Sequence, residues 1–511
     1  MSTTRLRLAI PVAALMLVSA CQPAPTGRPS PAGTPGVAAT TPATTLPPFS
    51  PSASGAAVDS LADTLQAAVD PAAILADLQR LQDITNQHGG TRQAGSDAEE
   101  AAAAFVAGEL REAGYEVTLD PVDVPYFGQR APSVLQILAD GAAPQFEDTR
   151  DFKAMLLSAS GTVTAQVFRL GFDPLAPPGS RDGLGCNGAD WAGVREGTIV
   201  LVQPGNCRRR DVVVNAQRAG VAALVTAYPE WERDRVLRPT LIDPDDIRIP
   251  AIGATHAVGL ALAQAAEDGD EVRIDVQTTA ETRTSMNVFG ETPGGDPGRI
   301  VMLGGHLDSV VDGPGINDNG SGTMTILEIA RQLATATNGN PAWKVRVVFW
   351  TGEELGLLGS AAYVQDADAP TSDEVAAYVN LDMTGSPNGV RLIYDGADSS
   401  RPTEGGIVAG LFATAFDRAG IVWQSTALGG SSDHFPFDQV GITTGGLFSG
   451  AGEHKSEAQA GLFGGTAGTP TDPCYHLACD TVDNVDPVLL EQMARAAAFV
   501  VGAIASGTVP I

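Results

Sequence analysis

The chain has 511 residues, enough for two to four domains at roughly 100–200 residues each and ample for a large buried core. Apolar residues make up 43% and charged residues 18%, which excludes disorder over most of its length. With 31 Lys and Arg against 60 Asp and Glu, the net charge is −29, a balance that repels phosphate backbones and excludes nucleic acid as a partner.

The N-terminus reads as an export signal. Arg5 and Arg7 precede the apolar stretch Leu8–Val18, too short to span a bilayer and suited to a signal peptide over residues 1–20. It ends in Val18-Ser19-Ala20-Cys21, which resembles a bacterial lipobox, so Cys21 is expected to be lipidated. A lipid there would be the chain's one membrane attachment. Residues 22–57 hold nine prolines, one charge (Arg28) and one aromatic (Phe49). Such a segment cannot bury enough surface to fold, so residues 21–58 read as a tether.

Five cysteines are an odd number. With Cys21 assigned to the lipid, the spacing leaves Cys186–Cys207 and Cys474–Cys479 as two local disulfides, consistent with an exported protein.

Leu61, Leu65 and Ala68, then Ile74, Leu78 and Leu81, recur at helical spacing over 59–87, with Pro71 opening the second helix. After the loop HGGTRQAGS, a helix begins at Ser96 and stops near Gly114, and Tyr115–Val124 alternates as a strand. These segments (59–130) form the first part of one domain. Residues 131–283 change character, with strand-like runs at 133–138, 161–170, 197–202 and 222–225. The segment GTIVLVQPGNCRRRDVVVNAQRAGVAALV, a strand, a cysteine turn, a helix and a strand, resembles the protease-associated domain, a small β-rich insertion. The basic run Arg208–Arg210 within it is expected to be a solvated turn.

From residue 284 onward, strands alternate with helices. Ile300–Leu303, Val345–Trp350 and Ala376–Leu381 are near-continuous apolar strands. A helix over 320–333 follows the first, and a short one around Leu357 follows the second. This pattern predicts an α/β fold in three layers, a mixed and mainly parallel sheet covered by helices on both faces. Ligands of such sheets bind beyond the carboxyl ends of the strands.

Chemistry-bearing residues gather at those ends. His306 and Asp308 stand in GGHLDSV, Asp318 in GINDNGSG, Glu353 and Glu354 in FWTGEELG, Asp382 in VNLDMTG, and His476 in CYHLACDT. Imidazole mixed with carboxylate suits zinc or another borderline divalent ion. Two His and three carboxylates exceed what one open four-coordinate metal needs, and suit two metals sharing a carboxylate.

These motifs, with SSDHFPF, resemble the double-zinc aminopeptidases of the Streptomyces and Aeromonas type over residues 59–130 and 284–511. The resemblance implies that His306 and Asp382 hold one zinc, Glu354 and His476 the other, and Asp318 bridges them. It implies Glu353 as general base, Asp308 as the partner that orients His306, and Tyr475 as hydrogen-bond donor to the oxyanion. Two zinc ions per chain are the implied cofactors, with calcium left open. The implied substrates are peptides with a free N-terminus, from which an apolar first residue is removed; the oligomeric state is left open. Where the Streptomyces enzyme has an Arg, this chain has Ser431, which leaves substrate preference open. His434 is expected to be structural, and His88, His256 and His454 to be surface or loop residues. Three alternatives share the fold. A glutaminyl-cyclase-like acyltransferase uses one zinc, a carboxypeptidase cuts the other end, and an inactive binding protein lacks an intact ligand set.

Overall fold

The computed structural model describes residues 58–511, apart from 140, 142–143, 177–182, 229–235, 237, 243 and 367–368. The export signal, Cys21 and nearly all of the tether lie outside the described residues. The chain divides into two compact units, one of residues 93–100 and 121–285, the other of the remainder.

Helices α1 (Val58–Ala68) and α2 (Pro71–Gln87) lie where the periodicity predicts. Asp70 caps α2 by accepting the Ala72 N–H at 2.9 Å, with Pro71 in the first turn where no N–H is needed. Leu65, Ile74, Leu78 and Leu81 are fully buried. Helix α3 (Asp97–Glu112) starts after Ser96, whose Oγ accepts the Glu99 N–H at 3.2 Å. Strand β1 (Glu116–Gln129) runs further than the alternation predicts.

The unit around residues 121–285 contains β2 (Val134–Leu138), β3 (Phe152–Ala154), β4 (Gly161–Arg169), β5 (Ile199–Val202), α4 (Arg209–Arg218), β6 (Ala223–Ala227), β7 (Ala251–Ala254), α5 (His256–Asp268) and β8 (Glu271–Val276). Its seven strands form one sheet in the order β2-β8-β4-β5-β6-β7-β3. The sequence leaves β3, β7, α5 and β8 unassigned. FKA and AIGA are buried at every position, so they show no alternation, and they are too short for a run of apolar residues to stand out. Two expectations need correction. Arg208–Arg210 is the start of a helix and not a turn: Arg208 is the residue just before α4, Arg209 and Arg210 are its first two, and Arg210 pairs with Asp246. His256 is buried, 8% exposed, with Nδ1 3.2 Å from the Tyr228 carbonyl, because α5 packs its first turn inward. The Cys186–Cys207 disulfide is formed, and Asn215 Nδ2 donates to the Cys186 carbonyl at 3.0 Å beside it.

The larger unit continues with β9 (Thr278–Glu291), β10 (Asp296–His306), α6 (Gly322–Thr337), β11 (Trp343–Trp350), α7 (Leu358–Gln365), β12 (Val375–Asp382), β13 (Leu392–Tyr394), α8 (Pro402–Arg418), β14 (Gln424–Thr426), α9 (His434–Gln439), β15 (Thr444–Phe448), α10 (Glu457–Phe463) and α11 (Pro487–Ala505). Its eight-stranded sheet has the order β1-β9-β11-β10-β12-β15-β13-β14, with β11, β10, β12 and β15 parallel. Side chains alternate across this sheet into two cores. Val301 and Leu303, Val347 and Phe349, Val379 and Leu381 join the large core that includes α1, α2, α6, α8 and α11. Met302, Val348, Trp350 and Tyr378 face the other way, toward Tyr363 of α7 and Phe437 of α9. The sheet is thus covered on both faces, which is why its strands read as continuous apolar runs.

Strand β10 does not stop at Leu303 but runs on through Gly304 and Gly305 to His306. A Cβ at Gly304 would come within 2.5 Å of Tyr378 Oη, and one at Gly305 within 2.6 Å of the Leu381 carbonyl. The glycines let three strands close up and bring their carboxyl ends together. In the register, His306 lies beside Trp350 and Gly304 beside Asn380.

Candidate metal centre

All of the predicted metal-site residues but His476 sit on segments that leave this parallel core. His306 is the last residue of β10 and Asp382 the last of β12. Glu353 and Glu354 lie in the turn between β11 and α7. That turn is gripped from below: Asp308 accepts the Glu353 N–H on Oδ1 at 3.1 Å and the Glu354 N–H on Oδ2 at 3.3 Å. Asp318 lies in the buried loop Ile316–Ser321 before α6, where the Asp318–Asn319 peptide is cis. His476 projects from a turn closed by the Cys474–Cys479 disulfide, with the Leu477 N–H donating to the Cys474 carbonyl at 2.9 Å.

Asp318 stands between the two histidines. Its Oδ1 is 3.3 Å from His306 Nε2, and its Oδ2 is 3.1 Å from His476 Nε2. Asp382 Oδ1 lies 3.5 Å from His306 Nε2, and Glu354 Oε2 lies 3.2 Å from His476 Nε2. Glu353 Oε2 is 4.0 Å from His306 Nε2. Donor atoms of His306, Glu353 and Asp382 lie within 4.8 Å of one another, as do those of His306, Asp318 and Glu354. Two buried oxygens, Glu354 Oε1 and Asp382 Oδ1, have no hydrogen-bond partner. A buried carboxylate oxygen with no donor is costly, and a cation would satisfy it. The donor set and these two orphaned oxygens fit a pair of borderline divalent ions.

The electrostatics describe the same shortage of positive charge. Burial works against charge on the His306 ring. The Glu353 and Asp382 carboxylates, with Asp308 and Asp318, outweigh it and hold the imidazolium well above its usual range. Burial likewise opposes charge on His476, and Glu354 and Asp318 raise it well above. Burial pushes the Glu353 carboxyl well above the ordinary carboxylate range; His306 opposes this, and Glu354, Asp382 and Asp433 add to it. Glu354 is raised by burial against the pull of His476. Asp318 is the exception: burial raises its carboxyl, but hydrogen bonds from both histidines outweigh that and hold it below the ordinary range.

The structure brings His306, Asp308, Asp318, Glu353, Glu354, Asp382 and His476 into one cluster. The Tyr475 ring stacks on that of His476, centroids 3.8 Å apart. The contact expected between His306 Nδ1 and the Asp308 side chain is shared. The Asp308 carbonyl is at 3.1 Å and its carboxylate at 3.6 Å, because the carboxylate is turned toward the Glu353–Glu354 backbone. Ser431 is exposed. His434 is fully buried at the start of α9, with Nε2 2.9 Å from the Leu428 carbonyl and its ring 5.0 Å from that of Tyr394. Burial lowers its pKa.

Three buried carboxylates in the motif loops around this cluster carry no role in the sequence reading. Asp433 accepts the Ser360 hydroxyl at 2.6 Å, and burial lifts its pKa to about 7. Asp472 and Asp480 lie on either side of His476 and are 1% exposed. Asp433 and Asp480 stand within SSDHFPF and CYHLACDT, but an aspartate in a loop has the same signature whether it caps, holds a turn or binds a ligand.

Comparison with known proteins agrees with this geometry. Residues 287–501 match peptidase family M28, and residues 172–262 match the PA domain. An aminopeptidase of Pseudomonas aeruginosa is 36% identical over 432 residues, covering 83% of this chain and 78% of that one. The probable lipoprotein aminopeptidase LpqL of Mycobacterium tuberculosis is 35% identical over 467 residues, 88% of each chain. Leucine aminopeptidase 2 of Arthroderma otae is 34% identical over 454 residues, 87% of this chain and 86% of that one. Among solved structures, an aminopeptidase from Aneurinibacillus sp. strain AM-1 superposes with a TM-score of 0.65 at 25% identity, covering 86% of this chain and 95% of that one. A zinc aminopeptidase from Bacillus subtilis shares the fold, with a TM-score of 0.64 at 24% identity over 85% and 94%. With its ligand-type cluster at the carboxyl ends of a parallel sheet and relatives of this identity and coverage, the chain belongs to peptidase family M28, as an aminopeptidase that carries a PA domain.

Proposed function

We propose that the chain is an exported, lipid-anchored double-zinc aminopeptidase that removes apolar residues from the free N-terminus of peptides. The observation that carries the two-metal part is Asp318, whose two oxygens face two different imidazoles. His306 and Asp382 would hold one zinc and Glu354 and His476 the other, with Asp318 shared. When bound, such a pair polarises the scissile carbonyl and acidifies water.

The protein's own groups do the rest. Glu353 takes a proton from the attacking water as the carbon–oxygen bond forms. It returns that proton to the amine as the carbon–nitrogen bond breaks. Its place supports this role: the carboxylate is largely buried at the edge of the ligand cluster, 4.0 Å from His306 Nε2. Asp308 fixes the backbone of the Glu353–Glu354 turn, so the two side chains keep separate tasks. The Tyr475 hydroxyl donates to the oxygen on which negative charge develops. Lipid anchoring and a cell-envelope location rest on the sequence around Cys21, and the Mycobacterium relative named as a lipoprotein supports them.

The test is zinc analysis together with a panel of free-amine and N-blocked Leu, Phe, Ala and Lys peptides. Two zinc ions per chain and turnover confined to free amines, with Leu and Phe fastest, are expected. A single zinc per chain, or cleavage of blocked peptides, would overturn the proposal.

A further inference from the structure

Behind the groups that face the histidines, one buried polar network joins the loops that carry them. Asp480 accepts the Asn317 N–H on Oδ1 at 2.8 Å and the Asp318 N–H on Oδ2 at 3.1 Å. Its carbonyl accepts the Ile316 N–H at 3.1 Å. Asn484 Nδ2 donates to Asp480 at 3.3 Å and to the two oxygens of Asp472 at 2.9 and 3.1 Å. Asp472 also accepts the N–H of Cys474, at 2.8 Å, in the turn that presents His476. Asn317 closes the circuit. It is fully buried, and its Nδ2 donates to Asp472 at 2.7 Å and to Ser386 Oγ at 3.1 Å. Its Oδ1 accepts the Gly385 N–H at 3.1 Å, just beyond Asp382.

A carboxylate that accepts two successive backbone N–H groups fixes two peptide planes at once. Here the second of those groups belongs to Asp318, so Asp480 sets the direction in which the Asp318 side chain leaves the backbone. Asp472 holds the turn before His476 through one such group, the Cys474 N–H, and Asn484 and Asn317 tie the two carboxylates to each other. Burying two carboxylates costs more than an apolar filling would, unless they specify an arrangement that apolar packing leaves loose.

We infer that Asp480 and Asp472, joined through Asn484 and Asn317, are positioning residues that hold Asp318 and His476 in register for a shared metal pair. The inference rests on the two-metal reading above. None of the four side chains is placed among the groups that would touch metal or substrate.

The test uses the full chain with Asp480→Asn and Asn484→Ala. Asp480→Asn keeps the volume but turns one acceptor into a donor, so one backbone N–H loses its partner. Bound zinc per chain is titrated against buffered free zinc, and melting is recorded at saturating zinc. Turnover of a leucyl anilide is followed over the same zinc range. Asp480→Asn is expected to melt near the wild-type temperature at saturating zinc. It should need about 10–100-fold more free zinc to fill the second site, the usual effect of losing a group that orients a ligand. Turnover should fall with zinc occupancy and recover in excess zinc, and Asn484→Ala should shift in the same direction by less. Zinc titrations that superpose on wild type would overturn the inference. So would a large loss of melting temperature with unchanged zinc binding, which marks a purely structural role. If Asp480→Asn does not fold, Asn484→Ala decides by the same comparison. A wild-type chain that binds only one zinc or turns nothing over would sink the functional proposal instead. A shift in zinc affinity of the variants would then still report on the network.

Discussion

Glu353 and Glu354 are chemically identical neighbours, and the fold assigns them different surroundings. Glu354 approaches His476 at 3.2 Å and keeps a second oxygen buried without a donor, whereas Glu353 stands 4.0 Å from His306. Glu353→Gln is therefore expected to retain both metals and lose on the order of 10²–10⁴ in rate, about 2.7–5.5 kcal/mol, the usual worth of a general base. Glu354→Ala should instead lose one metal. Zinc analysis beside single-turnover kinetics checks both, and a Glu353→Gln enzyme near the wild-type rate would remove Glu353 from the role of base. The surplus of buried carboxylate makes a further prediction. Chelation leaves those charges facing one another, so the metal-free protein should melt earlier than the loaded one. At free zinc a hundred times Kd, binding contributes about 2.7 kcal/mol per site. Calorimetry with and without chelator would show it, and equal melting temperatures would exclude tight metal binding. Most side chains of this cluster are legible in the sequence because they close an apolar strand or stand in a glycine-rich turn, and His476 is legible only through its motif CYHLACDT. The carboxylates Asp433, Asp472 and Asp480 are not, because a hydrogen bond from a side chain to a distant backbone has no period along the chain.

Elements differ in the same way. Strands β10, β11 and β12 read directly as apolar runs because both faces are buried, and α2 because one stripe of it is. Strands β13–β15 and helices α8 and α11 go unassigned, the helix α11 despite 14 buried residues. Its alanine-rich run is apolar on every side, which blurs the helical period that marks α2. By length and composition α11 could cross a membrane, yet it packs inside the fold against α1 and α8. Leu490 on it is fully buried, so Leu490→Ala should cost about 2–5 kcal/mol in urea unfolding with unchanged kcat in the folded fraction. A loss under about 1 kcal/mol would show that the site collapses around the cavity. The Cys474–Cys479 turn makes the opposite prediction. Its loop is short, so the disulfide adds only about 2 kcal/mol of stability. It does flank Tyr475 and His476, and a shift of about 1 Å there can cost on the order of 10²-fold in rate. The double Cys→Ser variant should lose activity and zinc affinity more than melting temperature. Early melting with normal activity in the cold would mark an ordinary staple.

At the scale of the molecule, the chain encodes two sheets, and in sequence order the strands of the second fall between β1 and β9 of the first. Cys21→Ser is expected to move the protein from the membrane fraction to the soluble one with its specific activity unchanged, since 36 residues of sequence, 22–57, lie between Cys21 and the first helix. A variant that still sediments with membranes would count against a lipid anchor. Sequence alone carries the order of chemical groups, the apolar period that makes a covered parallel sheet, and the placing of His306, Glu353, Glu354 and Asp382 at or just past strand ends. Those are local properties, set by residues a few positions apart. The folded chain settles which oxygen of Asp318 meets which imidazole, that Asp308 grips the Glu353–Glu354 backbone, and that Asp480 reaches back to Asn317 and Asp318. These contacts join segments far apart in the chain. They exist only once the strands have come into register, because the distance between such groups depends on packing and not on their spacing in sequence.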